Sequence, residues 1–124
     1  MKPEDTAYLH HILDSILSIE DFREGILSEA DLRNNLLKRA GIERMLTIIG
    51  EAVKNISIEL REEYPEIPWR EATGMRDKII HHYFGVDYDA IFLTITDDLP
   101  LLKQGIQKIL DESERVGANK TKVE

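Results

Sequence analysis

The chain has 124 residues, 42% of them hydrophobic and 32% charged, a balance that suits a folded globular protein and excludes a disordered one. It has no cysteine, so disulfides and thiolate metal sites are excluded, and no apolar run approaches the ~20 residues of a membrane span. The net charge of −8 argues against a protein that coats nucleic acid through overall charge, although one basic cleft in an acidic chain can still hold RNA. No leader pattern opens the sequence, and a cytoplasmic location is expected.

Leucine and isoleucine dominate the apolar set, with only three Phe and one Trp, which favours helices packed on helices. Pro3, Glu4 and Asp5 suit a first helical turn, and Leu9, Ile12, Leu13, Ile16 and Ile19 follow at helical spacing, with an end between Glu20 and Gly25. Ser28 is a candidate N-cap with Asp31 three residues on. Leu32, Leu36, Leu37, Ile42, Met45, Leu46, Ile49, Val53, Ile56 and Leu60 then predict one long helix, with Gly41 and Gly50 marking a bend or a close crossing and Gly41 the place for a break.

Tyr64-Pro65-Glu66-Ile67-Pro68 stops that helix, and Pro68 opens another from Trp69 to about His82. Phe84 to Asp87 reads as a turn with Asp87 as N-cap. A helix from Tyr88 carries Ile91, Phe92 and Ile95; Asp98-Leu99-Pro100 restarts or kinks it before Leu101, Leu102, Ile106, Ile109 and Leu110. Residues 113–124 form a polar tail expected to fray. The expected architecture is all-α, an antiparallel bundle of four or five helices in a single domain over residues 1–124.

Phosphate-cradling glycine loops and the G-x-S-x-G elbow of serine hydrolases are absent. The histidines form two adjacent pairs, His10-His11 and His81-His82. Helix neighbours point about 100° apart, so neither pair chelates one metal well. Asp77 and His81 could share a face, but without a third ligand no metal is expected. For His10 and His11 the expectation is one ring against the bundle edge and one in solvent.

Residues 68–87 differ from the rest. They gather Trp69, Arg70, Arg76, Lys78, His81, His82 and Tyr83 in an otherwise acidic chain. Imidazole titrates near neutrality and can move a proton at a ribose hydroxyl or a leaving oxygen. Guanidinium can clamp phosphate oxygens and stabilise the charge that develops on them. The plain alternative is a basic helix end that complements the helix dipole. On a regular helix Arg76 and His81 lie about 140° apart, whereas Arg76 and Tyr83 share a face. Convergence of Arg76 and His81 on one phosphate needs a loosened helix, a long reach by Arg76, or a second subunit.

Arg76, four intervening residues and then His81-His82-Tyr83 resemble the R-x4-H-x-Y signature of HEPN-domain proteins. More closely, the chain resembles HepT toxins of the HepT/MntA (HEPN/MNT) toxin–antitoxin pairs. The likeness extends through Ile48-Ile49-Gly50-Glu51-Ala52, Pro65-Glu66-Ile67-Pro68-Trp69, Gly74-Met75-Arg76-Asp77, Tyr83-Phe84-Gly85-Val86-Asp87 and Asp98-Leu99-Pro100. It covers about residues 4–112.

The resemblance implies a homodimeric, HEPN-like bundle with the motifs meeting at a cleft, and a metal-independent ribonuclease without cofactor, acting on tRNA or other RNA. Arg76 and His81 would be the catalytic pair. Tyr83 would be the tyrosine adenylylated by an MntA-like nucleotidyltransferase antitoxin, although a base-stacking or helix-capping role is open to it as well. Glu51 could orient Arg76; Asp77 and His82 rank with it behind the pair. Trp69 and Arg70 read as packing and cleft-rim residues. The alternative is a non-catalytic helical dimer that binds and regulates a nucleotidyltransferase, which the acidic surface favours because it repels RNA outside the cleft.

Overall fold

The structure, a computed structural model, describes residues 1–75, 77 and 87–123, with side chains as far as Val116. Helix α1 spans Pro3–Phe22, α2 Glu29–Asn34, α3 Leu36–Lys54, α4 Ile58–Glu63 and α5 Trp69–Thr73. After the segment that holds the motif come α6 (Tyr88–Leu93), a π-helical stretch Thr94–Asp98 and α7 (Leu99–Val123). No strand occurs among the described residues. The protein is an all-α bundle, as its composition and periodicity predict.

The long contacts fix the directions of the three main helices. At the start of α1, the buried Asp5 carboxylate accepts the Ser57 backbone N–H at 2.9 Å and the Ser57 hydroxyl at 2.6 Å, just beyond the end of α3. At its other end, Phe22 lies against Gly41 near the start of α3, where an added Cβ would stand 2.6 Å from the ring. Helices α1 and α3 are therefore antiparallel, and Gly41 serves a close crossing. Lys103, early in α7, pairs with Glu20 near the end of α1 at 2.7 Å, so α7 also runs antiparallel to α1. Leu9, Ile12, Ile16 and Ile19 of α1 join Ile42, Leu46, Ile49 and Val53 of α3 and Leu102, Ile106 and Ile109 of α7 in one apolar core. Each such side chain contributes roughly 1.5–3 kcal/mol by leaving water.

The single long helix expected over residues 28–60 is three helices. The first break falls at Asn35 rather than Gly41: Asn35 is extended (φ −117°, ψ 91°), and its side-chain oxygen accepts the Lys38 N–H at 3.1 Å. Asn satisfies an orphan N–H of the new helix, a gain that periodicity cannot reveal. A second break follows Lys54, and Ser57 caps α4 by accepting the Leu60 N–H at 3.2 Å. The early break turns Leu36 and Leu37 outward, 67% and 79% exposed, instead of onto the expected stripe. Ser28 caps α2 as expected, and Asp31 returns the bond by accepting the Leu27 N–H at 2.9 Å.

At Asp98-Leu99-Pro100 the α-helix restarts, as expected: α7 begins at Leu99 directly after the π-helical stretch Thr94–Asp98. The helix widens by one residue, and the Leu99 N–H reaches the Thr94 carbonyl in the π pattern. In that register the next donor would serve the Ile95 carbonyl, but Pro100 has no N–H. Arg23, just beyond α1, supplies the missing donor: its guanidinium gives a hydrogen bond to the Ile95 carbonyl at 2.8 Å. Replacing Arg23 by Met should destabilise the fold by about 1.5–3 kcal/mol, the range for a hydrogen bond to a charged group. In a Pro100→Ala background the carbonyl regains a backbone donor, and the loss should shrink by about 1 kcal/mol. Urea denaturation of the four proteins measures the coupling; equal losses in both backgrounds would contradict this pairing.

Candidate functional site

The motif sits between two anchored ends. On its N-terminal side, Tyr64 to Pro68 turns the chain into α5, with Pro68 as the cap residue. The Trp69 indole N–H donates to the Tyr64 carbonyl at 2.9 Å, closing the turn on itself. Trp69, Ala72 and Met75 are 7%, 0% and 1% exposed, so this flank is embedded in the core. Helix α5 packs on α3. On the C-terminal side, Asp87 caps α6 by accepting the Ala90 N–H at 3.0 Å, as the sequence predicts, and Ile91 is 1% exposed.

Of the residues the sequence singles out, Arg76, His81, His82 and Tyr83 lie outside the described residues, as does Lys78. Asp77 is exposed, one turn beyond Thr73. Glu51 is exposed on α3, the helix against which α5 packs. Trp69 is a packing residue, and Arg70 is exposed. His10 and His11 are both exposed, which corrects the expected division between bundle edge and solvent. The His11 ring meets Tyr8 edge-on, with centroids 6.5 Å apart. Among the described residues no three His, Asp or Glu side chains gather as metal ligands.

Beside the C-terminal flank lies an arrangement that motif reading missed. Tyr88, the first residue of α6, has the Arg39 guanidinium 5.4 Å and the Arg33 guanidinium 6.0 Å from its ring centre. Both distances suit cation–π attraction. The available signal was local charge: residues 33–44 hold Arg33, Lys38, Arg39 and Arg44 against Glu43 alone.

The chain matches the family described as "Ribonuclease HepT-like" over residues 12–109. The chain belongs to the HepT-like ribonuclease family. It is 44% identical over 109 residues to "Probable ribonuclease HepT" of Thermococcus cleftensis, covering 88% of this chain and 98% of that protein. It is also 44% identical over 105 residues to a "Putative RNase" of Caldanaerobacter subterraneus subsp. tengcongensis, covering 85% of this chain and 93% of that protein. A third relative, "Gamma-glutamylcyclotransferase and putative RNase" of Methanocaldococcus jannaschii, is 40% identical over 123 residues, 99% of this chain. The chain spans only 55% of that longer protein. No solved structure matches the chain. The family match agrees with the resemblance carried by the R-x4-H-x-Y pattern and places Arg76 to Tyr83 inside the matched range. Among the described residues no helix is long and apolar enough to cross a membrane.

The turn before the motif is held from outside by α7. The Tyr64 hydroxyl donates to the Glu112 carboxylate at 2.5 Å, and Ile67 covers Gly105 so closely that an added Cβ would stand 2.6 Å from its side chain. The Glu112 hydrogen bond, then burial, then the negative charges of Glu112, Glu63 and Glu66 push the Tyr64 hydroxyl up to about 12. A raised folded-state value stabilises the fold below the ordinary tyrosine value near 10, and that contribution is lost as pH rises from there through about 12. Absorbance titration should find one late-titrating tyrosine that moves down in Glu112→Gln; titration unchanged by that substitution would contradict the assignment. Gly105→Ala should lower the melting temperature by pushing Ile67 off the helix, at about 1–3 kcal/mol for overpacking, and a larger loss is expected for Gly105→Val. Calorimetry tests the pair, and full stability in Gly105→Val would show that the turn is not seated on α7.

Proposed function

We propose that the protein is a metal-independent endoribonuclease in which Arg76 and His81 act on the phosphodiester bond of tRNA or another RNA. The family membership carries this reading, together with the residue types of the motif: an imidazole to move the proton and a guanidinium to hold the phosphate. His81 serves as general acid or base, and Arg76 stabilises charge on the phosphate oxygens. Glu51 orients Arg76 by a charge-assisted hydrogen bond, and Asp77 and His82 play supporting parts. The active form is a homodimer in which two motifs line one cleft, which resolves the angular separation of Arg76 and His81 on a regular helix.

In this reading the protein is the toxin of a toxin–antitoxin pair. An MntA-like nucleotidyltransferase silences it by transferring AMP from ATP to the Tyr83 hydroxyl; the phenolic oxygen bonds to the α-phosphorus and pyrophosphate leaves. The added phosphate repels RNA from the cleft, and the nucleotide fills it. The second reading, a non-catalytic dimer that regulates the nucleotidyltransferase, is favoured by the net charge of −8.

Purified protein should cut RNA in EDTA, and Arg76→Ala and His81→Ala should each lower the rate at least about a hundredfold, the lower range for acid–base and electrostatic catalysis. Variants that cut as fast as wild type would remove these residues from catalysis. Growth arrest on expressing the chain alone supports the ribonuclease toxin; its absence supports the regulatory dimer. Mass spectrometry after co-expression with the nucleotidyltransferase should find AMP on Tyr83, and an unmodified Tyr83 in a neutralised complex would replace covalent silencing with sequestration.

A further inference from the structure

Helix α4 ends at Tyr64, and this one residue is bonded in three directions. Its N–H reaches back to the Leu60 carbonyl at 3.2 Å and closes α4. Its carbonyl accepts both the Ile67 N–H at 3.2 Å and the Trp69 indole N–H at 2.9 Å, which gathers the turn around it. Its hydroxyl crosses to α7 and donates to the Glu112 carboxylate at 2.5 Å. A phenol O–H on a carboxylate is a charge-assisted bond, roughly twice as strong as a neutral one. Glu112, Glu63 and Glu66 all disfavour a tyrosinate here, so the hydroxyl remains a donor until pH approaches about 12.

From Tyr64 the chain is held step by step up to the motif. The Trp69 N–H donates to the Ile67 carbonyl at 2.8 Å and the Ala72 N–H to the Pro68 carbonyl at 3.0 Å. The Thr73 hydroxyl donates to the Trp69 carbonyl at 2.9 Å and the Gly74 N–H to the Arg70 carbonyl at 3.1 Å. Met75 is buried, and Arg76 is the next residue. Helix α4 has six residues and α5 five, too few to persist alone in water, so their direction depends on what they rest against. Helix α5 rests on α3, and the turn before it rests on α7 through Ile67 against Gly105 and through the Tyr64–Glu112 bond. The Lys108–Glu66 pair across the same junction is more than half exposed at both ends and contributes little. A cleft of about 410 Å³ runs beside Tyr64 and Glu112. Water entering it can replace a lost hydroxyl, so breaking this bond costs direction more than stability.

We infer that Tyr64 and Glu112 are positioning residues for RNA cleavage: their hydrogen bond holds the turn on α7 and so sets the backbone from which Arg76 departs. This rests on the ribonuclease reading and adds to it two residues outside the R-x4-H-x-Y pattern. Both act through the chain between them and Arg76. A displacement of about 1 Å at a reacting group can cost about a hundredfold in rate, so a small loosening of the turn is readable in turnover.

The test is steady-state cleavage of unfractionated tRNA and of mixed-sequence single-stranded RNA in EDTA by the full chain, with urea denaturation of each variant. Tyr64→Phe and Glu112→Ala should each lower kcat about tenfold and leave KM within about twofold. Combined, they should lower kcat no further than either alone, because both remove the same bond. Glu112→Gln keeps an acceptor oxygen and should restore most of the rate. Arg23→Met, which removes a bond near the opposite end of α7, should keep kcat although it loses stability to urea. Wild-type kcat in both Tyr64→Phe and Glu112→Ala would overturn the inference and leave the ribonuclease reading in place. Additive losses, or an equal loss in Arg23→Met, would overturn it too, since the effect would then be general loosening of the bundle. A raised KM with unaltered kcat would equally overturn it and place the pair in substrate binding. Should Tyr64→Phe fail to fold, the comparison of Glu112→Ala with Glu112→Gln decides from the α7 side. A wild-type protein that cuts neither RNA would remove the ribonuclease reading and this inference together.

Discussion

Met75 and Ile91, each 1% exposed, tie the two sides of the motif segment into one apolar core, and the rest of the molecule can be understood as what makes that possible. Both flanks of the segment that carries the proposed catalytic pair are thus fixed by buried side chains on regular elements. Helices α1, α3 and α7 form the antiparallel frame, and α5 packs on α3. The Tyr64–Pro68 turn is fastened to α7 through Tyr64, Glu112, Ile67 and Gly105. On the far side, the Asp87 cap fixes where α6 begins.

Polar groups reinforce this frame where helical periodicity is interrupted. Asp5 is buried and holds Ser57, which in turn caps α4. Arg23 satisfies a carbonyl that Pro100 leaves without a donor. Both contacts join elements far apart in sequence, and both place a polar side chain where an unmade hydrogen bond would be expensive. Arg33 and Arg39 likewise join elements distant in sequence, since both guanidinium groups meet the Tyr88 ring at the start of α6.

Much of this was legible in the residues. The stripe Leu9, Ile12, Ile16, Ile19 and the caps Ser28 and Asp87 are local signals, set by side-chain spacing and by one short hydrogen bond each, and they appear where expected. The break at Asn35 was not legible, because an apolar period continues across it and the cap stabilises a new start without disturbing that period. The π turn at Pro100 was hidden for a different reason, since its partner Arg23 is 72 residues away from Ile95. The Tyr88 cluster likewise depends on α2 and α3 being folded onto α6. For the site itself, the motif and its ordered flanks identified the family, whereas Glu51 and Asp77 are placed by the fold as exposed residues on α3 and beyond α5.

The proposed chemistry has His81 move a proton during RNA cleavage without a metal. The rate of cleavage in EDTA as a function of pH tests it most directly. A limb is expected in the range where imidazole titrates, roughly pH 6–7, and it should disappear in His81→Ala while RNA affinity is retained. A profile that is flat across that range, or one whose limb survives the substitution, would contradict it.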